Sequence, residues 1–429
     1  MTQPNSLAER VKRIEGYDPK ALPVVVAQEI IEASMQPVTQ VEQVALTAAL
    51  GRVLAQDIIS PIDVPAHDNS AMDGYALRSS DLAAETDTVL TVVGTAFAGD
   101  ATCPAVGNGQ CLRIMTGAVM PAGCDTVVPQ ELVHALQGGS ITLTAGTVAA
   151  GDNRRLQGED LRRGVPALTQ GRRLRPADLG LIASLGIATV PVFRKVKVAY
   201  FSTGDELRSL GEQLDPGNVF DANRYTLLGM LSRLGCELVD LGLVPDEPTA
   251  LQAAFARGCE KADAIITSGG VSVGQADHTK HVMASMGDVL FWTIAMRPGR
   301  PLAFGHLHHG GRSTPVFGLP GNPVAVMVTF YFLVRTALQH CEGEMGSALP
   351  YVRALCTQSI RKKPGRTEYQ RAWLGADASG QPIVRITGAQ GSGILSSMAA
   401  ANAMIVLEHA REDVSAGELV DVVVFDGLV

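Results

Sequence analysis

Short β-branched runs alternate with segments of helical period between Lys195 and Cys341. Such alternation is typical of βαβ units around a parallel sheet. The predicted elements, in chain order, are strand 196–202, helix 224–235, strand 237–244, helix 249–262, strand 263–268, helix 279–286, strands 289–296, 301–307 and 315–320, and helix 322–340. The pattern therefore predicts a doubly wound, parallel-sheet α/β domain at residues 193–343.

The rest of the chain shows other patterns. Residues 60–152 hold short β runs rich in Gly and Pro, which predicts a separate, mainly β domain. Residues 1–59 and 153–192 contain amphipathic helical pieces, and we expect these flanks to pack together as an elongated, discontinuous domain with the β domain inserted between them. Residues 344–429 return to alternating runs without a helical period, which predicts a C-terminal β-barrel or sandwich.

Composition narrows the class of protein. Of the 429 residues, 46% are hydrophobic and 18% are charged, as in soluble globular proteins with several cores. The longest apolar run, 324–334, is shorter than the roughly 20 residues that cross a bilayer, and it predicts a buried helix. The N-terminal residues lack the apolar core of a signal peptide, and the seven cysteines show no CxxC spacing. We therefore expect a cytoplasmic protein without a membrane partner.

The net charge of −8 argues against broad binding to nucleic acid, because such binding requires a basic surface. A local basic pocket can still bind a small anion. We therefore expect small-molecule partners and no nucleic acid.

Carboxylates follow three successive strands of the predicted sheet. Asp205 and Glu206 follow the first strand, Asp246 follows the second and Asp277 follows the third. Because ligands of such sheets bind at the carboxyl ends of the strands, we expect these side chains to converge. Carboxylate oxygens suit Mg²⁺, which commonly bridges to substrate phosphates. Glycines of the third loop would let a phosphate approach the backbone, and these are Gly269, Gly270 and Gly274.

Positive charge is predicted beside the last strands. Arg297 and Arg300 flank a Pro-Gly turn in RPGRP, so both guanidinium groups can address one oxyanion. In GLPGNPV, Asn322 is the predicted N-cap of a helix and Pro323 its first residue. The free N–H groups of that helix would form an anion site, and a purely structural cap is the alternative.

Three stretches of the N-terminal half are each open to two interpretations. PAHDNSAMDGYA is either a turn held by Asx hydrogen bonds or part of a cation site. MTGAVMPAGCDTVV is either a structural turn or a backbone nest for an anion at Thr116 and Gly117. GDNRRLQGEDLRRG is either a salt-bridged surface loop or the wall of a cleft lined by an arginine and Asp160.

A histidine cluster, His306, His308 and His309, could in principle bind a metal. It lies in a Gly-rich connection between two predicted strands and has no carboxylate beside it. We interpret it as an exposed hairpin loop.

Seven motifs in one order resemble those of the molybdopterin molybdenumtransferase family, which includes bacterial MoeA and the C-terminal domain of gephyrin. They are PAHDNSAMDGYA, TGAVMPAGCDTVV, GEDLRRG, STGDEL, SGGVSVGQADHTK, RPGRPLAFG and GLPGNPV. The resemblance runs from about Val24 to the C-terminus. It implies an elongated homodimer of four-domain subunits, with the active site at the subunit interface between the β domain and the α/β domain.

The resemblance also implies a reaction, which converts adenylyl-molybdopterin and molybdate into molybdenum cofactor and AMP with Mg²⁺ or a similar divalent cation. The implied catalytic residues are Asp68, Thr116, Asp160, Glu206, Asp246 and Asp277, and those assigned to the metal are Glu206, Asp246 and Asp277. The candidate substrate-binding and anion-binding residues are Ser70, Gly269, Gly270, Ser272, Gly274, Arg297, Arg300, Pro320, Gly321, Asn322, Pro323, Arg366 and Ser397. The implied partners are an upstream adenylyltransferase and downstream molybdoenzyme chaperones.

The sequence departs from the family at three positions. Many members carry lysines where this chain has Arg297 and Arg300, and a serine in place of Ala325, so molybdate affinity or selectivity can differ. Two other functions stay open, a non-catalytic pterin-nucleotide-binding paralogue or scaffold and a molybdopterin adenylyltransferase. The adenylyltransferases are usually much smaller and lack DNSAMDGYA, and a carrier needs no such set of carboxylates.

Overall fold

The computed structural model describes residues 6–100, 103–270, 278–346 and 349–427. The first elements are α1 (Leu7–Val11), α2 (Val24–Ser34), β1 (Val41–Ala45) and β2 (Ile58–Ile59). A β-rich region follows, with β3 (Asn69–Ser70), β4 (Gly74–Leu77), β5 (Thr88–Ala96), β6 (Gln110–Ile114), β7 (Thr126–Pro129), β8 (His134–Leu136) and β9 (Ser140–Leu143). The chain then returns through β10 (Arg154–Arg155), β11 (Pro166–Leu168), α3 (Pro176–Ser184) and β12 (Thr189–Phe193).

The outgoing and returning flanks of the chain pair with each other. β1 pairs with β12, β2 with β11 and β3 with β10, each time antiparallel. Apolar side chains of both flanks share one core, with Leu54 and Ile58 from the outgoing flank and Ile182 and Val190 from the returning one. Strands β4 to β9 form a separate six-stranded sheet of order β7-β4-β6-β5-β9-β8. The mainly β region is therefore inserted between the two paired flanks.

The α/β region alternates strands and helices from β13 onwards. Its elements are β13 (Lys197–Thr203), β14 (Leu207–Arg208), β15 (Val219–Phe220), α4 (Ala222–Leu234), β16 (Glu237–Val244), α5 (Pro248–Lys261), β17 (Ala264–Ser268), α6 (His278–Met286), β18 (Gly287–Thr293), β19 (Met296–Arg297), β20 (Pro301–His309), β21 (Arg312–Leu319), α7 (Pro323–Thr329), a π-helical turn (Phe330–Val334) and α8 (Arg335–Cys341). The main sheet has the order β16-β13-β17-β21-β20-β18.

Helices cover both faces of this sheet, which confirms the doubly wound arrangement. Val198 and Tyr200 of β13 pack with α4 and with the helical segment from α7 to α8, whereas Ala199 and Phe201 of the same strand pack with α5 and α6. The alternation follows from the two-residue period of a strand, which sends successive side chains to opposite faces.

One strand departs from the predicted parallel sheet. β20 is antiparallel to both β21 and β18, while the other pairings of the sheet are parallel. Gly310 and Gly311, with φ of +57° and +75°, form the tight turn into β21, and such a turn can join only antiparallel strands. The prediction that the histidine cluster forms a loop is wrong, because His306, His308 and His309 lie within β20.

The apolar run 324–334 lies in the long helix Pro323–Cys341. By length and composition this helix could cross a membrane, but 83% of its most apolar window is buried inside the protein. The helix packs against the sheet and against α2, in the largest hydrophobic core. This is the environment of a core helix, as the sequence predicted.

The C-terminal region forms a closed β-barrel. Its elements are β22 (Tyr351–Cys356), β23 (Thr367–Ala376), β24 (Pro382–Ile386), α9 (Leu395–Ala399), β25 (Ala403–Leu407) and β26 (Leu419–Val424). The strands follow the order β23-β24-β22-β26-β25, and β25 also pairs with β23 and closes the ring. β19 of the α/β region extends this sheet through a parallel pairing with the start of β23. The predicted fold class, multidomain α/β plus β, is confirmed.

Candidate functional site

A cavity of about 740 Å³ lies at the carboxyl edge of the α/β sheet. The ends of β13, β16, β17 and β21 border it, together with the turn before β20. That turn reaches the same edge because β20 runs in the reverse direction. Of the predicted site residues, the cavity is lined by Glu206, Asp246, Gly269, Gly270, Arg297, Arg300, Pro320, Gly321 and Asn322. Residues from distant parts of the sequence thus share one site.

Three carboxylates line this cavity, those of Asp205, Glu206 and Asp246, and the last two are predicted metal ligands. Asp246 follows β16, and Glu206 follows β13 in a loop where its carboxylate folds back over Gly204. A Cβ atom on residue 204 would lie 2.7 Å from Glu206 Oε2, so glycine allows this close approach. Glu206 and Asp246 in one cavity fit the preference of Mg²⁺ for oxygen ligands, and Mg²⁺ usually completes its shell with water and substrate phosphates.

The third predicted metal ligand, Asp277, lies outside the described residues, as do Ser272 and Gly274. Across the described ranges, no group of three or more His, Cys, Asp or Glu side chains is arranged to hold a metal ion. The pair Glu206 and Asp246 therefore constitutes the described part of the predicted metal site.

The glycines after β17 are required by close backbone packing. Gly269 has a φ of +91°, and a Cβ atom there would lie 2.2 Å from the carbonyl oxygen of Thr203. Gly270 has a φ of +64°, and a Cβ atom there would lie 2.2 Å from Thr279 Oγ1. Both residues line the cavity, so the segment presents backbone and no side chain to a ligand.

Arg297 and Arg300 supply positive charge to the cavity. The turn between them has a cis Arg297–Pro298 bond and Gly299 at a φ of +97°. Arg297 NH1 lies 3.9 Å from Glu368 Oε2, whereas Arg300 makes no ion pair within the described chain. Both side chains are exposed at the cavity, as the bidentate-anion prediction requires.

Helix α7 begins as predicted, with Asn322 as N-cap and Pro323 in the first turn. The Asn322 side chain makes no capping hydrogen bond. The prediction that the N–H groups of this helix terminus are free is wrong for Val324, whose N–H donates to the carbonyl oxygen of Ser392 at 3.1 Å. One helix-terminal donor is thus used by the C-terminal region and is not free for an anion.

That C-terminal contact belongs to a cavity wall that the sequence analysis missed. Gln390, Gly391 and Ser392 line the cavity together with the strand ends. Ser397 was the residue predicted from this stretch, because nothing local in GSGILSSM (391–398) distinguishes Ser392 from Ser397. The structure separates them, because Ser397 is buried, accepts from Arg371 Nε at 3.0 Å and does not line the cavity.

Arg366 lies beside the cavity and not in it. Its guanidinium pairs with the buried Glu368, with Nε at 2.9 Å and NH2 at 2.8 Å from Oε1. Two smaller cavities, of about 520 and 310 Å³, adjoin Arg366, and Arg297 and Arg300 border one each. Arg366 therefore extends the basic wall towards the barrel.

The remaining predicted residues form a second cluster in the inserted β region. Asp68 accepts from Gln157 N–H at 2.7 Å and forms an ion pair with Arg154. The hydrogen bond from Gln157, followed by that from Arg154, lowers the pKa of Asp68 below its ordinary value. These contacts bring PAHDNSAMDGYA and GDNRRLQGEDLRRG together.

Thr116 joins the same cluster through Asp73. Its N–H and its hydroxyl both donate to Asp73 Oδ1 at 2.7 Å, and these bonds lower the pKa of Asp73. Gly117 N–H donates to the carbonyl oxygen of Ser70, whose buried hydroxyl donates to Met72 O. The first two stretches are therefore held together by turn hydrogen bonds, and Gly117 N–H is not free for an anion.

Asp160 completes this cluster as an exposed residue whose N–H donates to Val64 O at 3.1 Å. Asp68, Ser70, Thr116 and Asp160 do not line the cavity at the sheet edge. Within one chain the predicted site residues thus fall into two groups.

Family models match nearly the whole chain. The model described as the MoeA N-terminal region, domains I and II, matches residues 22–186. A probable molybdopterin binding domain matches residues 199–340, and the MoeA C-terminal region, domain IV, matches residues 353–425. These models cover the inserted region, the α/β region and the barrel.

Relatives and solved structures agree. The chain is 44% identical to the molybdopterin molybdenumtransferase of Haemophilus influenzae, over 91% of this chain and 95% of that protein. It is 36% identical to the molybdopterin molybdenumtransferase of a Nostoc species, over 88% and 87% of the two chains. The crystal structure of a molybdopterin biosynthesis MoeA protein from Pyrococcus horikoshii superposes with a TM-score of 0.81 at 29% identity, covering 95% of this chain and 100% of that one. Its motifs, its fold and these matches together show that this chain belongs to the MoeA family.

Proposed function

We propose that this protein is a molybdopterin molybdenumtransferase, which takes adenylyl-molybdopterin and molybdate and yields molybdenum cofactor and AMP. The observation that carries the proposal is the cavity that holds Glu206 and Asp246 together with Arg297 and Arg300. This distribution of charge suits two anionic groups. A divalent cation would link the pyrophosphate of one substrate to the carboxylates, and the arginines can bind molybdate directly. Relatives at up to 44% identity bear the corresponding name.

The arginines bind the tetrahedral molybdate dianion in this proposal. Two guanidinium groups on one turn can donate parallel hydrogen bonds to its oxygens. Arg300 is the stronger partner, because Arg297 shares part of its charge with Glu368. Lysines at these positions would offer point charges and no planar fork.

The carboxylates serve the pyrophosphate of the adenylylated pterin. Glu206 and Asp246 would hold a divalent cation such as Mg²⁺, which would neutralise the charge that develops on the leaving AMP phosphate. The backbone at Gly269 and Gly270 lets the phosphates approach closely. In the same cavity the dithiolene sulfurs of the pterin receive molybdenum, and AMP leaves when the pyrophosphate bond is cleaved.

The second cluster, around Asp68 and Thr116, leads us to propose a homodimer. These side chains do not line the cavity of their own chain. We therefore propose that they face the cavity of a partner subunit. The experiment is to mix Asp68→Asn chains with Glu206→Gln chains. Restored activity in the mixture supports a shared site, and a monomer by light scattering contradicts it.

The reaction itself is tested by incubating the purified protein with adenylyl-molybdopterin and Mg²⁺ and measuring AMP with and without molybdate. Molybdate-dependent AMP release with formation of active cofactor supports the transferase. Tight nucleotide binding without release favours a carrier, and formation of the adenylylated pterin from ATP favours an adenylyltransferase. A cytoplasmic location and an upstream adenylyltransferase complete the proposal.

A further inference from the structure

A second large cavity, of about 790 Å³, lies at the amino edge of the α/β sheet, and we call it the amino-edge cavity. Asp263 borders it immediately before β17, and Arg312 borders it at the start of β21. The same two strands lead to Gly269 and Pro320, which line the cavity at the carboxyl edge. These strands are five and eight residues long, so at about 3.3 Å per residue the two cavities are roughly 15 to 25 Å apart. The amino-edge cavity is therefore a separate site.

One side of the amino-edge cavity is a face of the sheet that extends beyond its helical cover. Leu302 and Phe304 of β20 are buried in the largest hydrophobic core, which also includes α2. His306 and His308 continue along the same face, because alternate residues of a strand share a face. Ser34 is the last residue of α2, and its carbonyl oxygen lies 3.1 Å from His306 Nε2. The sheet face thus changes from apolar to polar where the covering helix ends.

Helix α1 forms another side of the amino-edge cavity. Leu7 N–H donates to the carboxylate of Asp288, which lies opposite His306 in the pairing of β18 with β20. Arg10 NH2 donates to Ser34 Oγ at 3.4 Å. Helix α1 precedes residue 22, where the match to the N-terminal region of the family begins. This side of the cavity is therefore built by a segment outside the family match.

Positive charge exceeds negative charge among the described residues of the amino-edge cavity. They include the three arginines Arg10, Arg194 and Arg312 and the two aspartates Asp263 and Asp288. Arg194 is paired with Asp263 through two hydrogen bonds, of 2.6 and 2.8 Å. Arg10 and Arg312 form no ion pair within the described parts of the chain. Two arginines in one cavity of a protein with a net charge of −8 indicate a site for an anion.

Arg312 is fixed in place by the C-terminal end of α5. Its NH1 donates to the carbonyl oxygen of Glu260 at 2.7 Å, and its NH2 donates to that of Ala262 at 2.9 Å. A guanidinium group has five N–H donors, so further donors remain for a ligand. His308 and Ser313 lie opposite each other in the pairing of β20 with β21, and both line the same cavity. The cavity thus combines guanidinium, imidazole and hydroxyl groups, which are donors that suit phosphate oxygens.

His306 reports a positive environment inside the amino-edge cavity. Burial lowers the pKa of His306, and the nearby charges of His308 and Arg10 lower it further. The contact with Ser34 O and the charge of Asp288 act in the opposite direction and do not compensate. Neighbouring cations disfavour the imidazolium form, so an anion bound beside them should favour it.

We propose that the amino-edge cavity binds a small molecule with a phosphate group, through Arg10, Arg312 and His308. A volume of about 790 Å³ lies within the range of roughly 300–1,000 Å³ that is typical of small-molecule sites, and it can hold a nucleotide. Inorganic phosphate, inorganic pyrophosphate and a nucleotide share the phosphate chemistry and differ in size. This site does not depend on the proposed transferase activity.

The test is isothermal titration calorimetry with inorganic phosphate, inorganic pyrophosphate and AMP. The parent protein carries Arg297→Ala and Arg300→Ala, which remove both arginines of the carboxyl-edge cavity. We expect Arg10→Gln to weaken binding of these anions about tenfold, as for the loss of one charge-assisted hydrogen bond. Arg13→Gln is the matched control, because Arg13 is exposed in the same segment and does not line the cavity. It should leave the affinity unchanged.

A histidine titration by NMR shows where the anion binds. The resonance of His306 is assigned from its absence in His306→Gln. Saturating pyrophosphate should raise the pKa of His306 in the parent protein and in Arg13→Gln, because a nearby negative charge stabilises the imidazolium form. At the same pyrophosphate concentration, the rise should be smaller in Arg10→Gln.

The three anions distinguish the sources of the phosphate group. Equal affinities would indicate that the phosphate group alone is bound, and a clearly tighter complex with AMP would identify a nucleotide site. Should none of them bind at millimolar concentration, the inference is overturned. Binding that neither Arg10→Gln nor Arg312→Gln weakens, or that leaves the pKa of His306 unchanged, overturns it too. A protein without transferase activity that still binds these anions at His306 would refute the proposed function and support this site.

Discussion

Ser392 O accepts a hydrogen bond from Val324 N–H at 3.1 Å, and this contact joins the C-terminal barrel to the first turn of α7. A donor that an anion could have used is occupied by the protein itself. We therefore expect the proposed anion site to depend on Arg297 and Arg300 more than on the helix terminus.

Replacement of Arg300 by lysine should raise the KM for molybdate severalfold and leave kcat largely unchanged. Lysine keeps the charge but loses the planar pair of donors. Arg300→Ala should cost more, about 10-fold to 100-fold in kcat/KM, because Arg300 has no ion pair in the described chain and is free to bind the dianion. Steady-state kinetics over a range of molybdate concentrations checks both. An equal KM for wild type and Arg300→Ala would contradict this role.

Glu206→Gln should reduce molybdate-dependent AMP release by at least about 100-fold, since the amide cannot supply the negative charge that holds a divalent cation. The fold should be intact, because the Glu206 side chain is exposed in the cavity. Glu212→Gln is the matched control. Glu212 is an exposed carboxylate in the same connection between β13 and α4, and it accepts from Ser209 N–H. Titration of Mg²⁺ should show a weaker apparent affinity only in the first variant. Wild-type turnover by Glu206→Gln would exclude a metal role.

Gly269→Ala should destabilise the protein by roughly 2–4 kcal/mol and disrupt the cavity, because a Cβ atom would meet Thr203 O at 2.2 Å in addition to the strain of a positive φ. Gly211→Ala provides the comparison. Its φ of +89° is similar, but nothing lies within 4 Å of its Cβ position, so only the backbone cost of about 1–2 kcal/mol applies. Urea unfolding followed by far-UV circular dichroism measures the difference, and equal losses in the two variants would show that steric contact is unimportant.

Asp68 should make the second cluster sensitive to acid. Its pKa is lowered by the hydrogen bond from Gln157 N–H and then by Arg154, so its stabilising contribution is fully present above the ordinary value of 3.8. That contribution is lost as the pH falls through the lower folded pKa. Protection of the Gln157 amide from hydrogen exchange should therefore exceed that in Asp68→Asn at pH 6, and the two should converge at more acidic pH. A difference that persists or grows below the folded pKa would contradict the assignment.

Much of the fold was predictable from local patterns. Strand 237–244 was predicted to the residue, and the predicted helices of the α/β region differ from the observed ones by only a few residues at their ends. Hydrophobic periodicity and helix caps act over a few residues, so one stretch of sequence contains the information. The reversal of β20 also had a local signal, because two consecutive glycines between β runs are typical of a hairpin.

The site was only partly predictable, for a physical reason. Strand ends of a parallel sheet necessarily meet at one edge, so Glu206, Asp246 and Arg300 could be grouped from the sequence alone. The wall formed by Gln390 to Ser392 could not, because it exists only where the barrel packs on the α/β region through β19 and β23. The sequence by itself determined the elements, the fold class and the chemistry at the strand ends. Tertiary structure alone decided that Arg371 is buried behind the cavity and that Ser392, not Ser397, faces it, because burial and contact depend on packing between segments far apart in the chain.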